Sequence, residues 1–488
     1  MLSGVGKIDC EVGMTFYFYD VETSGFNPRT DRIMQFGGQR TDMNLRPTGQ
    51  PDNILIKLTV DVLPEPDAVL VHGITPQKTK AEGISGAEFA KYLTSQVFSK
   101  DTIAVGFNNI RFDDEFIRHL LWRNFHDAYE WQWKNNCSRW DLLDVARITR
   151  ALRPEGIKWP FAPDGKATVA LEYLASVNKL THDSAHDALS DVKTLVAVAK
   201  MIQTKQPKLF GYLLNLRDKT KVEVLVNKGD PLVYVSGRYP SEYEKATVAV
   251  AIAPYPQGRG ALMYDLRIDP SEFVKLNPSE LAGKWSARGD DVPYFPVKLL
   301  SYNRCPAVAP MSVLDSDSAK RLQLDQVKVG ENFKKLKTAK NFAKNLVTAL
   351  EIVYPPRQPE LVVDEQKVDG QLYDGFVSDS DKTKMSAVRA AGPDELADFD
   401  PGFADDRLRL LLPLYKARNF PHILSGEEQK WWEAFRTKRL LDSGEVSRGA
   451  AYFKRIEELR KQPRLGKEQK FLLEELNLYG QSILPLTQ

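Results

Sequence analysis

From Thr15 to Thr23 the chain reads Thr-Phe-Tyr-Phe-Tyr-Asp-Val-Glu-Thr, an apolar run that begins as a buried strand should and then admits two acids. Alternate residues of a strand share a face, so the run predicts a strand over 15–22. Similar apolar runs at Ile33–Gln39, Ile54–Leu58 and Ile103–Phe107 predict further strands. Between and after them the period changes to that of a helix. Phe116, Ile117, Leu120 and Leu121 trace one face, and so do Leu189, Val192, Leu195, Val196, Ala199 and Ile202. This alternation predicts an α/β domain over 15–203.

The character shifts after Gln206-Pro207. Val222–Val226, Leu232–Ser236, Thr247–Ala253 and Ala261–Asp265 are β-rich segments punctuated by Gly, Pro and Asn, which predicts a small sheet or barrel. Phe333, Leu336, Phe342 and Leu346 then form the apolar side of an amphipathic pattern, closing a second domain over 204–356. The prolines of Tyr354-Pro-Pro-Arg-Gln-Pro359 forbid a regular element. Beyond them, Glu428–Leu441, Gly449–Lys461 and Glu468–Tyr479 read as helices of an all-helical domain over 360–486.

A chain of 488 residues is too long for one core, in keeping with several domains. Its net charge of +2 excludes a protein that coats nucleic acid with a uniformly basic surface, so any such grip must be local. Two basic clusters qualify: Lys205, Lys208, Arg217, Lys219, Lys221 and Lys228, then Lys334, Lys335, Lys337, Lys340 and Lys344. Cys10, Cys137 and Cys305 are scattered and suggest neither a disulfide framework nor a zinc site. No signal peptide and no apolar run of ~18 residues is found, so a cytoplasmic protein without a membrane span is expected.

The candidate chemistry starts with Asp20 and Glu22. They share a strand face, where like charges repel unless a cation lies between them, and a hard divalent ion with oxygen ligands suits the pair. Asp113, Asp114 and Glu115 open a predicted helix, and His186 and Asp191 lie at the start of another. Each group alone has an ordinary reading as a cap or a macrodipole partner. Tyr129-Glu-Trp-Gln-Trp133, flanked by Arg118, Arg139 and Arg147, interleaves aromatics and cations as a single-strand groove would. Core packing is the competing fate of Tyr129, Trp131 and Trp133.

In this order, an Asp-x-Glu strand, an Asn-x-x-Phe-Asp helix start and a His-x-x-x-x-Asp helix start resemble the three motifs of the DEDDh exonuclease superfamily. Further segments resemble its exodeoxyribonuclease I branch: Gly73–Gln77, Asn108–Glu115, Ser138–Val145, Ala151–Ile157, Val297–Leu299, Cys305-Pro306 and Ala417–Pro421. The resemblance runs from about Thr15 almost to the C-terminus. It implies an RNase-H-like domain with a mixed sheet, an SH3-like domain ending in helices and a helical C-terminal domain, closed in a C shape around single-stranded DNA. It also implies 3′-to-5′ hydrolysis to 5′-mononucleotides, acting in repair and recombination. Two Mg²⁺ ions, with Mn²⁺ as a substitute, would lie on Asp20, Glu22, Asp113 and Asp191, and His186 would be the general base. Family spacing chooses Asp113 over Asp114 and Glu115.

By the same resemblance Glu22 touches the terminal nucleotide, and Arg118, Tyr129, Trp133, Arg147 and Lys219 contact DNA. Ala170 stands where the family can carry an arginine, which removes a contact there. Arg153, Tyr212, Arg321 and Leu336 would receive the C-terminal tail of the single-stranded DNA-binding protein, with the nuclease itself a monomer. Competing readings are another DEDDh nuclease, for proofreading or RNA trimming, and an inactive nucleic-acid-binding scaffold. The long extension past Met201 opposes the first, and the intact five-residue set opposes the second.

Overall fold

The computed structural model describes residues 13–180, 187–255, 258–289, 294–355, 363–441 and 446–485. The first sheet contains β1 (Thr15–Thr23), β2 (Ile33–Thr41), β3 (Asp52–Leu55), β4 (Thr102–Gly106) and β5 (Ser138–Asp141) in the order β3-β2-β1-β4-β5. β1 runs antiparallel to β2 and parallel to β4, so the sheet is mixed, as expected. The alternation along β1 divides two cores. Phe16 and Phe18 face the helix Ala188–Lys205 through Val192, Leu195 and Ala199. Tyr17, Tyr19 and Val21 face Phe89, Phe116 and Leu121. Side chains of the strand thus bury both faces of the sheet, while Asp20 and Glu22 remain half-buried near its C-terminal end.

The second sheet is antiparallel and ordered β10-β6-β7-β8-β9, from β6 (Leu232–Val235), β7 (Ala246–Pro254), β8 (Gly260–Asp265), β9 (Val297–Ser301) and β10 (Val308–Pro310). Its core is continuous with the first: Val233, Val248 and Leu262 belong to the same cluster as Phe16 and Trp140. The region from Val368 to Ile483 is helical, and its core takes in Trp122 and Phe125 from the first domain.

Two expectations are corrected. Val222–Val226 is not a strand but part of the helix Lys219–Asn227, whose start Asp218 caps by accepting from the Thr220 N–H. Val222 and Val226, four residues apart, are its buried side, and Val224 between them is exposed. The run expected as a strand over Ile54–Leu58 starts earlier and stops at Leu55: the Ile56 N–H still donates to the Met34 carbonyl of β2, but the chain then turns to Ile84, where the Lys57 N–H donates to the Ile84 carbonyl and the Ile84 N–H to that of Leu55, all at 2.9 Å. The amphipathic pattern around Leu336 is also divided between two helices, Gln326–Thr338 and Phe342–Val353.

Candidate active site

Asp20 and Glu22 project from β1 opposite Gly37 and Gln35 of β2. The absence of a side chain at Gly37 lets the start of the helix Ala188–Lys205 lie on the strand: a Cβ there would stand 2.4 Å from the Ala188 carbonyl carbon. Gln35 fixes the same helix end by accepting from the Ala188 N–H at 3.2 Å and donating to Asp187 at 2.9 Å. Asp187 in turn caps the helix by accepting from the Ser190 N–H at 3.0 Å. The result is that Asp191, in the first turn, joins Asp20 and Glu22, with one carboxylate oxygen of each within 4.8 Å of the others.

Asp113 enters from the helix Asp113–Arg123 and accepts from the Val21 N–H at 3.1 Å. It is 4% exposed, and its charge acts on both Asp20 and Glu22. Burial, then Asp113, Glu22 and Asp191, raise the Asp20 carboxyl well above the usual range. Burial and Asp191, followed by Asp113 and Asp187, push Glu22 up to about 8. Burial pushes Asp113 up to about 7 against the pull of its backbone hydrogen bonds. Acids held in this way disfavour their own ionisation until positive charge arrives. The donors are all oxygens, which fits a hard divalent cation.

The neighbouring acids are otherwise engaged. Asp114 accepts from the Tyr19 hydroxyl, from Asn109 and from the Arg139 guanidinium, which neutralises it within the core. Glu115 pairs with Arg118 at 2.5 Å and accepts from the Tyr373 hydroxyl.

The loop before Asp113 borders a groove of about 1470 Å³, lined by Ile110 and Arg111 from this loop and by residues of all three regions. Arg118, Tyr129 and Arg147 line it. The Arg118 guanidinium lies 5.5 Å from the Tyr129 ring centroid, and Arg147 is held by Asp144 at 2.6 Å. Arg238, Arg259, Lys298 and Arg304 come from the second region, and Tyr373 and Phe376 from the third. These six escaped sequence reasoning because they lie far apart along the chain.

Comparison with known proteins accounts for this arrangement. Residues 17–199 match the exonuclease family, 217–351 the exonuclease I SH3-like domain and 366–483 the exonuclease I C-terminal domain. Exodeoxyribonuclease I of Escherichia coli is 38% identical over 477 residues, covering 96% of this chain and 98% of that protein. The chain belongs to the exodeoxyribonuclease I family.

Solved structures of exonuclease I agree. E. coli exonuclease I in complex with a dA16 oligonucleotide superposes with a TM-score of 0.90 at 36% identity, covering 96% of this chain and all of that one. SSB/exonuclease I in complex with an inhibitor gives 0.86 at 36% identity, covering 96% and 100%. For an exodeoxyribonuclease I chain, the remaining expected residues fall as follows. His186, like His182, lies outside the described residues, as does Cys10. Trp131 is buried against Phe98, whereas Trp133 and Lys219 are exposed and neither is among the groove's lining residues. Ala170 precedes the helix Leu171–Val177 and provides no side-chain cap.

Arg153 and Tyr212 meet in a second cavity of about 220 Å³, floored by Leu152, Leu209 and Val313. The Tyr212 hydroxyl is buried there without a hydrogen-bond partner among the described residues. Arg321 and Leu336 do not line this cavity. Arg321 donates to the Ala151 carbonyl at 2.6 Å and pairs with Glu244, and Leu336 is packed in the core. No helix among the described residues is long and apolar enough to cross a membrane.

Proposed function

We propose that this chain hydrolyses single-stranded DNA from its 3′ end, releasing 5′-mononucleotides, and acts in DNA repair and recombination. The observation that carries the reading is the convergence of Asp20, Glu22 and Asp191 within 4.8 Å, with Asp113 beside them, in a chain of the exodeoxyribonuclease I family. Asp20, Glu22, Asp113 and Asp191 would hold two Mg²⁺ ions, for which Mn²⁺ could substitute. Divalent ions at such a site supply an activated water and neutralise charge on the leaving oxygen. Glu22 would also touch the terminal nucleotide. His186, by its motif, takes the proton of the attacking water, and its replacement by alanine would slow the reaction ~10²–10⁴-fold.

Arg118, Tyr129, Trp133, Arg147 and Lys219 are assigned to the strand. The groove supports the first, second and fourth of these directly, since it combines aromatic faces with cations, the chemistry that holds single strands. Timed digestion of end-labelled single-stranded DNA, duplex DNA and RNA with Mg²⁺ tests the reading. Products longer than mononucleotides, or equal attack on duplex, would overturn it.

The second cavity supports a protein partner, the C-terminal tail of the single-stranded DNA-binding protein. Arg153 and Lys208 suit a carboxylate, and Tyr212 and Leu209 suit an apolar side chain. Of the residues expected for the tail, Arg321 and Leu336 would act at the margin of this seat. Arg153→Ala and Tyr212→Ala should weaken binding of a tail peptide and slow digestion of protein-coated DNA, yet spare naked DNA. Equal loss on both substrates would place these residues elsewhere. The reading includes a cytoplasmic monomer, and light scattering tests the oligomeric part.

A further inference from the structure

Phe376 is 99% exposed, although it lies on a loop that is firmly anchored. On one side of it, Arg407 donates to the Gln371 carbonyl at 2.9 Å and to the Gly375 carbonyl at 3.2 Å. Arg407 is itself buried and fixed by Asp405 at 2.6 Å. On the other side, Ser378 caps the helix Asp379–Ala390 by accepting from the Asp381 N–H at 3.1 Å. The ring is therefore presented from a rigid base rather than from a slack loop. A single exposed apolar residue is ordinary on a protein surface. This one lines the groove that also contains Arg118, Tyr129 and Arg304.

We propose that Phe376 is a stacking residue for a base of the bound strand, so that the C-terminal region both grips DNA and selects single strands. The inference rests on the single-strand reading above and adds a specificity residue to it. The surroundings favour a nucleic acid over an apolar protein segment. Arginines line the same groove, whereas a protein partner would require a broader apolar patch. Two aromatics that share the groove's first- and third-region walls, Tyr129 and Tyr373, already have partners. Tyr129 lies under Arg118 and 6.4 Å from Tyr373, and the Tyr373 hydroxyl is bound to Glu115. Phe376 alone among these three offers a fully open face. Every base has such a face, which makes stacking tolerant of sequence, and in a duplex that face is already covered by its neighbours.

The test measures binding in EDTA, where hydrolysis is silent. A short single-stranded oligonucleotide is compared with a series in which one abasic nucleotide is moved along the strand. Phe376→Ala should weaken binding of the intact strand roughly 5- to 150-fold, the range for loss of one aromatic–base stack. Phe376→Trp should retain it. The wild-type protein should lose affinity when the abasic nucleotide occupies one particular position, and Phe376→Ala should be indifferent to that substitution. Identical abasic profiles for the two proteins, or full affinity in Phe376→Leu, would overturn the proposal. Because binding is read without turnover, a protein that stacks DNA on Phe376 yet fails to degrade it would refute the exonuclease reading instead. Unchanged melting of the variants excludes loss of fold.

Discussion

Two groups of buried carboxylates in this protein meet opposite electrostatic conditions. At the candidate active site, Asp20, Glu22 and Asp113 are raised first by burial and then by neighbouring acids, Asp113 by Asp114 and the other two by Asp113 and Asp191. Where the C-terminal region meets the first domain, Asp61 and Asp369 are fully buried, and burial alone would raise them too. There Arg418, Arg439 and Arg32 outweigh it and hold both below the usual carboxylate range. Arg418 bridges Asp369 and Asp61 at 2.7 and 2.8 Å, Arg32 reaches Asp369 at 2.9 Å, and Arg439 reaches it at 3.0 Å. The fold provides cations where it needs cohesion between domains. At the site the described residues gather acids instead, and a bound divalent cation would bring the positive charge.

The largest effect that tests this contrast should come from Asp20→Asn or Asp191→Asn. Hydrolysis in Mg²⁺ should fall by roughly 10³-fold or more, since charge stabilisation dominates such reactions, while single-strand binding persists. In EDTA the same variants should melt no lower than the wild type, because one member of a repelling set is gone. Substantial turnover would break the contrast. Asp369→Asn should do the reverse, lowering stability by about 3–5 kcal/mol because it leaves buried arginines unpaired. Denaturant unfolding measures this, and a loss below 1 kcal/mol would show that the interface does not depend on its ion pairs.

Acidity separates the groups further. Glu22 and Asp113 have folded values of about 8 and about 7, above an unfolded value of about 4. Without metal, their contribution to stability is complete below about pH 4 and disappears as pH rises through 7 to 8. Asp61 and Asp369 are shifted the other way, so theirs is present above about pH 4 and is lost as pH falls. A divalent cation such as Mg²⁺, bound by the first group, would have to displace its protons. Its affinity should therefore climb between about pH 6 and pH 9, by about tenfold per unit for each proton released. Calorimetry in buffers of different ionisation enthalpy counts those protons, and affinity independent of pH would contradict the assignment. The smallest effect concerns the groove: Arg147→Ala should flatten the log-log salt dependence of strand binding by about 0.7, the share of one phosphate contact.

Much of this organisation is readable from local pattern. Phe16 and Phe18 on one side of β1 and Tyr17 and Tyr19 on the other announce a strand buried on both faces, and the acids that follow announce chemistry. Val222–Val226 misleads because Val-Glu-Val-Leu-Val satisfies a period of two as well as a helix with Val222 and Val226 inward, and packing against Leu216 and Tyr234 decides for the helix. Asp113 is separated from Asp114 only by what each side chain meets in three dimensions, the Val21 amide for one and Arg139 for the other. Tyr373 and Phe376 carry no local signal at all. Their proximity to Tyr129 depends on Asp369, two hundred and more residues from the sheet, being held among arginines of the first and third regions. Gly37-Gly38 within a strand pattern was available as a sign of close backbone approach.

That approach has a consequence for how the site tolerates change. The distance between the strand bearing Asp20 and the helix bearing Asp191 is set by main chain lying on main chain at Gly37, not by the shape of intervening side chains. Apolar residues deeper in the core, such as Val192 or Leu195, can be exchanged for others of similar volume while the gauge between the carboxylates keeps its setting. The spacing of the acids is in this sense insulated from drift in the hydrophobic interior, and a single hydrogen atom at position 37 is the spacer that fixes it.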